Sequence, residues 1–121
     1  MIAIGFNPFE DSVVCLVQCA ETAVMDNRGH RLEGVERAAQ ANRAYVSYIL
    51  GHEPGTLVYM VHQQKEDPTR FLNLMVFQDE VAREQHRSSE GVRRFTEVLY
   101  PELLAPVEFT EYTVVASTGT V

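Results

Sequence analysis

The sequence predicts an α+β domain of the ferredoxin-like, split-βαβ type, in which helices cover one face of a four-stranded antiparallel sheet. The hydrophobic period changes between that of a strand and that of a helix in the order β-α-β-β-α-α-β. One central hairpin separates two βαβ-like halves, which is typical of this fold. The chain has 121 residues, and at about 150 residues per domain this predicts a single domain.

The first half of the chain is predicted to form a strand and a long helix. Residues 1–12 are rich in turn-forming residues and are expected to form an irregular arm. A strand is predicted from Val13 to about Met25. Apolar residues then recur at intervals of three and four from Leu32 to Leu50, which indicates an amphipathic helix that Gly51 would end.

The second half is predicted to form a hairpin, two helices and a last strand. Side chains alternate over 57–62 and 71–77, on either side of a loop at 66–69. Asp79 is typical of a helix N-cap, and Ser88 or Ser89 would cap the helix after it. The last strand is predicted over 107–117. The domain would therefore span residues 13–117, followed by a C-terminal tail at 118–121.

The third strand is apolar on both of its sides. One side carries Phe71, Asn73, Met75 and Phe77, and the other carries Leu72, Leu74 and Val76. A sheet with helices on one face should present polar residues on the other, so something must cover this second face. We expect a second copy of the chain to cover it, which predicts a homodimer.

The composition argues against several classes of protein. A net charge of −7 disfavours phosphate backbones and anionic lipids, so neither nucleic acid nor a membrane is an expected partner. The chain has no apolar run of about 18 residues, and residues 1–6 do not resemble a secretory signal. Cys15 and Cys19 would lie about 13 Å apart on one strand, which is too far for a disulfide. They are expected to be buried free thiols in a cytoplasmic protein.

No standard catalytic or nucleotide-binding motif is present. The histidines have no local metal-ligand spacing, so no metal site is expected. His30 and His52 lie in predicted turns and are expected to be solvated. His62 ends the second strand, and His86 lies near the end of the first short helix.

Two asparagines occupy otherwise apolar faces. Asn73 stands in the middle of the third strand among aromatic residues, although asparagine is a poor strand former. It is expected either to bond a neighbouring backbone group or to point into a cavity. Asn42 on the long helix has the same two interpretations, a satisfied structural group or a pocket residue.

Residues 55–104 resemble the antibiotic biosynthesis monooxygenase domain family. The shared features are the strand with Gly55, Leu57, Tyr59, Val61 and His62, the turn Asp67-Pro68-Thr69-Arg70-Phe71, and then Phe77, Asp79-Glu80, His86-Arg87-Ser88 and Phe95. The first strand and helix fit the same domain, which extends the resemblance to about 13–117. It implies a dimeric α+β barrel, in which two sheets pack face to face and each subunit keeps an apolar pocket between its sheet and its helices.

The resemblance also implies an activity. Family members oxygenate electron-rich phenols or quinols with O₂ and without metal or flavin, so a small hydrophobic aromatic ligand and no cofactor are expected. A deprotonated quinol can itself reduce O₂, so the protein needs only an apolar pocket, a base and exclusion of water. In cofactor-free members an Asn on the third strand and a Trp four residues later line the pocket; here these positions are Asn73 and Phe77.

The resemblance suggests roles for eight residues. Asn73 would bond a substrate oxygen, and His86 or His62 would act as base. The expected substrate-binding residues are Tyr59, Phe71, Met75, Phe77 and Asn42. Of these, Tyr59, Phe71 and Phe77 would either line the pocket or pack the core. The chain has no Trp and carries Met75 where many members have Glu. These departures favour an alternative, a non-catalytic dimeric domain that binds small molecules; a non-oxidative isomerase or cyclase on the same fold is a third.

Overall fold

The computed structural model describes residues 13–22 and 31–118, with side chains of the long helix described from Gly34 onward. The predicted N-terminal arm, the turn that contains His30, and residues 119–121 of the predicted tail lie outside the described residues. The order of the described elements is the predicted β-α-β-β-α-α-β, with one additional 3₁₀ turn.

Four antiparallel strands form the sheet. They are β1 (Val14–Glu21), β2 (Thr56–Gln63), β3 (Arg70–Phe77) and β4 (Glu108–Tyr112), in the spatial order β2-β3-β1-β4. This order places β1 and β3 in the centre, as the ferredoxin-like topology requires. The predicted fold class is therefore confirmed.

Three helices pack on one face of the sheet, here called the inner face. They are α1 (Arg31–His52), α2 (Glu80–Arg87) and α3 (Glu90–Leu99), and a 3₁₀ turn follows at Tyr100–Glu102. The Asp79 carboxylate accepts a hydrogen bond from the Ala82 amide at 2.8 Å, which confirms it as the N-cap of α2. Of the two serines, Ser89 caps α3. Among the described helices, none has the length and apolar content needed to cross a bilayer.

Several element ends differ from the prediction. Helix α1 runs through Gly51 to His52 and stops before Pro54, whose ring fixes the backbone and excludes the preceding residue from helical geometry. Strand β1 ends at Glu21, because that residue pairs with Arg70, the first residue of β3. Strand β4 ends at Tyr112 rather than at residue 117. Tyr112 pairs with Cys15, and β1 begins one residue earlier, so almost no strand is left for later residues to pair with.

The inner and outer faces of the sheet differ in burial. The inner-face side chains of β3, namely Phe71, Asn73, Met75 and Phe77, are all buried. On the opposite face, here called the outer face, Leu72 is 40% exposed. Cys15 and Cys19 are both free, but only Cys15 is buried. The prediction of a buried thiol was wrong for Cys19, because the single chain leaves its part of the outer face open.

Candidate functional site

A pocket of about 490 Å³ lies between the inner face of the sheet and the helices. Every described strand and helix contributes to its wall, which is mainly apolar and aromatic. The lining side chains include Leu16, Gln18, Tyr45, Tyr59, Met75, Phe77, His86, Val92, Phe95 and Phe109. The space is large enough for a ligand of two or three fused rings, in the lower part of the usual range for ligand pockets.

His86 lies in the pocket wall and makes two polar contacts of 2.7 Å. Its Nδ1 lies 2.7 Å from Oε1 of Glu53, and its Nε2 lies 2.7 Å from the Tyr45 hydroxyl. The Tyr45 hydroxyl also lies 3.2 Å from Nδ1. A carboxylate only accepts hydrogen bonds, so the arrangement favours a proton on Nδ1 and a hydrogen bond from Tyr45 to an unprotonated Nε2.

Burial sets the protonation of this group. Desolvation lowers the pKa of His86 below its usual 6.5, and the hydrogen bond and charge of Glu53 oppose that shift only in part. The imidazole is therefore neutral at pH 7 and can accept a proton. Burial, with smaller contributions from neighbouring Tyr59 and Glu53, raises the pKa of Tyr45 far above its usual range, so this phenol stays protonated.

Local sequence features bring these three side chains together. The Asp79 cap starts α2 so that His86 lies in its last turn, facing the sheet. Gly55 lets α2 approach β2 closely, because a Cβ at this position would lie 2.6 Å from the Ala82 Cβ. Glu53 follows the last residue of α1, and its Oε1 also accepts from the Thr56 hydroxyl at 2.9 Å.

Asn73 and Asn42 form a buried chain of amides behind the pocket. Asn73 donates from Nδ2 to Asn42 Oδ1 at 3.0 Å and to the Tyr59 hydroxyl at 3.0 Å. Asn42 donates in turn to the Ala38 carbonyl, one turn back along α1, at 2.9 Å. Asn73 thus contacts the pocket through Tyr59. Burial raises the pKa of Tyr59, and the hydrogen bond from Asn73 partly opposes this increase. Its own Oδ1 is buried without a hydrogen-bond partner in the described part of the chain.

The structure brings together some, but not all, of the residues that the sequence pointed to. His86, Tyr59, Met75 and Phe77 line the pocket. Phe71 packs instead in the hydrophobic core with α1 and α3. His62 is three residues after Tyr59 along β2, so its side chain lies on the opposite, outer face of the sheet. It is exposed there and bonds the Leu72 carbonyl at 3.0 Å.

The remaining described histidine is also away from the pocket. His52 is exposed at the end of α1, stacks on Tyr48 and contacts its carbonyl at 2.9 Å. Within residues 13–22 and 31–118, no three His, Cys, Asp or Glu side chains are grouped as metal ligands would be.

Sequence reasoning missed three residues of the site. Tyr45 falls among the apolar residues that recur along α1, and Glu53 belongs to no recognisable motif. Gln18 is a polar residue inside an apolar strand, the same signal that singled out Asn73. No local signal relates Glu53 to His86, because the contact joins residues 33 positions apart.

The chain belongs to the antibiotic biosynthesis monooxygenase family. The model of this family matches residues 29–98, which is more than half of the chain. No curated protein sequence gave a significant match.

Solved structures of similar fold agree with this assignment. A protein named "putative antibiotic biosynthesis monooxygenase" from Nitrosomonas europaea superposes with a TM-score of 0.75 at 17% identity, over 89% of this chain and 95% of its own. A protein of the same name from Bacteroides thetaiotaomicron gives a TM-score of 0.78 at 16% identity, over 93% and 98%. A protein from Pseudomonas aeruginosa gives 0.71 at 23% identity, over 88% and 98%. At these identities the likeness shows the fold alone.

Proposed function

We propose that this protein is a cofactor-independent monooxygenase that oxidises a small aromatic or quinol-type substrate with O₂ in the pocket between sheet and helices. The observation that carries the proposal is the buried His86 in an apolar pocket wall, held between Glu53 and the Tyr45 hydroxyl. Family membership supports the oxygenase class. The mainly apolar wall suits an aromatic ligand.

The chemistry begins with removal of a proton from the substrate. The substrate proton passes to the Tyr45 oxygen while the Tyr45 proton passes to Nε2 of His86, and Glu53 stabilises the resulting imidazolium. The electron-rich substrate anion then reduces O₂ and combines with it to form a peroxide. For an anthrone, loss of water from the peroxide converts the CH₂ group to a carbonyl. One oxygen atom enters the product, and the other leaves as water with both hydrogens.

Asn73 is assigned a positioning role in this scheme. Its amide fixes the Tyr59 hydroxyl at 3.0 Å, and the Tyr59 ring lies against those of Tyr45 and His86. Replacement of Asn73 would thus alter the substrate site through Tyr59. The outer-face position of His62 supports no role for it as base.

We further propose that the active form is a homodimer that associates through the outer face. Two apolar side chains on this face, Met60 of β2 and Leu72 of β3, are 50% and 40% exposed. Association through this face would remove them from water and give each pocket a rigid floor.

Oxygen uptake tests the proposed activity. Reduced naphthoquinols and anthrones are supplied to the parent protein and to His86→Ala, Tyr45→Phe and His52→Ala, with spontaneous oxidation subtracted. We expect uptake by the parent and a loss of at least about a hundredfold in His86→Ala. His52→Ala is the matched control, because His52 is exposed at the end of α1, and it should retain the parent rate.

Other outcomes favour the alternatives. Conversion of a ligand at the same rate without O₂ would indicate an isomerase or cyclase. Binding of aromatic ligands with no conversion by any route would indicate a non-catalytic domain.

A further inference from the structure

Gln18 is a buried polar residue in the pocket wall that the proposed reaction does not use. It lies in the middle of β1, is only 5% exposed and lines the pocket. Its side-chain amide makes no hydrogen bond to any described residue. Neither of its amide atoms is among the fully buried unpaired atoms of the described residues, so the amide reaches the pocket space. A polar group in this position can bond a ligand or a water molecule.

A second unpaired atom lies on the neighbouring strand. Gln18 pairs directly with Asn73 across β1 and β3, and the Cβ atoms of such partners are about 4.5 to 5.5 Å apart. The Nδ2 group of Asn73 is already bonded to Asn42 and Tyr59, while its Oδ1 is buried without a partner among residues 13–22 and 31–118. Rotation of the Gln18 side chain can bring its NH₂ group to this Oδ1, which leaves the Gln18 Oε1 as an acceptor facing the pocket.

This acceptor lies at a distance from the proposed base. His86 packs on Phe77, with 4.9 Å between ring centroids, whereas Gln18 is opposite Asn73, four residues away along β3. At about 3.3 Å per residue, the backbone positions of Asn73 and Phe77 are about 13 Å apart along the strand. The pocket wall thus carries polar groups at more than one place: Gln18 on β1, the Tyr45–His86 pair, and Arg83, Arg87 and Thr96 on α2 and α3.

We propose that Gln18 determines specificity by accepting a hydrogen bond from one hydroxyl of a ligand that carries two oxygen functions. One oxygen meets the Tyr45–His86 end, and the other is a hydroxyl that donates to Gln18. This inference deepens the proposed function and rests on its assignment of the pocket as the substrate site. It concerns binding, and it can be measured without turnover.

Equilibrium binding without O₂ tests the inference. The probes are 2,6-dihydroxynaphthalene and 6-methoxy-2-naphthol, which share one hydroxyl and differ only in whether the second can donate. Both are titrated calorimetrically into the parent, Gln18→Leu, Gln18→Met and Gln40→Leu. Gln40 is exposed on α1, so Gln40→Leu is the same change away from the pocket. Melting temperatures establish that each variant is folded, and Gln18→Met keeps the length of the side chain.

We expect the parent and Gln40→Leu to bind the diol about tenfold more tightly than the methyl ether, as loss of one hydrogen bond predicts. In both Gln18 variants the two ligands should bind equally. The inference is overturned if the folded Gln18 variants keep the preference, if the parent has none, or if neither probe binds. A parent that prefers the diol yet consumes no O₂ with any reduced substrate would refute the monooxygenase proposal and leave this inference standing.

Discussion

Glu53 acts on the pocket through the His86 ring rather than directly. Its Oε1 accepts the Nδ1 proton at 2.7 Å, which orients the ring and leaves Nε2 available to Tyr45. The carboxylate also raises the pKa of His86 against the larger lowering effect of burial. Glu53 is thus a positioning residue with two separable effects, on ring orientation and on proton affinity.

Replacing Glu53 with Gln should reduce both effects. We expect Glu53→Gln to lower kcat about tenfold to a hundredfold, because the amide neither stabilises an imidazolium nor specifies the tautomer. The pKa of His86 should fall further in this variant, which NMR titration of the ring can measure. The control is Glu97→Gln, an exposed carboxylate of α3 paired with Arg93. An unchanged His86 pKa and kcat in Glu53→Gln would contradict the assigned role.

His86 should also make stability depend on pH. Its pKa is lowered in the folded chain, so below about pH 6.5 the unfolded chain binds a proton that the folded chain does not. The free energy of unfolding is therefore highest above this pH. It should fall as the pH drops from 6.5 to 5.5, by at most about 1.4 kcal/mol per pH unit from this group.

Urea denaturation at fixed protein concentration measures this slope. The comparison is with His86→Gln, which removes the titrating group, so the difference between the two slopes belongs to His86. Equal slopes in the two proteins would show that burial does not suppress protonation of this ring.

Individual residues of the site were predicted unevenly from the sequence. His86 was singled out because it matches the family pattern. Tyr59 matches the same pattern and also lies in a strand whose side chains alternate. Tyr45 and Glu53 did not, because their roles depend on where α1 ends relative to α2, and no local period encodes that distance. Asn73 was singled out because asparagine is unusual in the middle of an apolar strand. Its two side-chain partners, Asn42 and Tyr59, are known only from the structure, because both are distant in sequence.

At the scale of elements, local pattern predicted every described strand and helix but not all of their ends. Interior residues follow the period of their element, so β3 and α2 were placed within a residue. Strand ends depend on partners that a local pattern does not contain, as the short pairing of β4 with β1 shows. The end of α1 depended on Pro54 rather than Gly51, because glycine permits a helix to end without requiring it.

The approach of α2 to β2 should depend on the missing side chain of Gly55. Gly55→Ala places a Cβ 2.6 Å from that of Ala82, so α2 must shift and carry His86 with it. We expect a loss of about 1 to 3 kcal/mol in the free energy of unfolding. The activity of the folded fraction should fall as well.

Gly51→Ala is the matched control for this change. Apart from its own helix backbone and chain neighbours, no atom of the described residues lies within 4 Å of the corresponding Cβ position. Alanine favours a helix over glycine, so this variant should be as stable as the parent or more stable by about 0.5 kcal/mol. Thermal and urea unfolding of the two variants measure the difference. A neutral Gly55→Ala would mean that the contact with Ala82 does not position α2.

At the scale of the whole molecule, the outer face is the feature that a single chain leaves unexplained. The two-sided apolar character of β3 is evident in the sequence, and its outer-face residue Leu72 is partly exposed in the structure. Burying apolar area of this kind contributes about 25 cal/mol per Å². A stable dimer generally buries roughly 800 Å² on each partner, an area that the outer surface of a four-stranded sheet can supply.

A charge at Leu72, on the outer face of the central strand β3, should therefore separate the subunits. We expect Leu72→Lys to convert the dimer to a monomer, because two uncompensated charges would be buried close together in an apolar interface. Sedimentation equilibrium measures the mass, and circular dichroism establishes that the monomer remains folded. Leu50→Lys is the matched control: Leu50 is 83% exposed on α1, away from the sheet, so its mass should equal that of the parent. If Leu72→Lys remains dimeric, or if Leu50→Lys alone dissociates, the subunits associate through a different surface and the outer face of the sheet is not the interface.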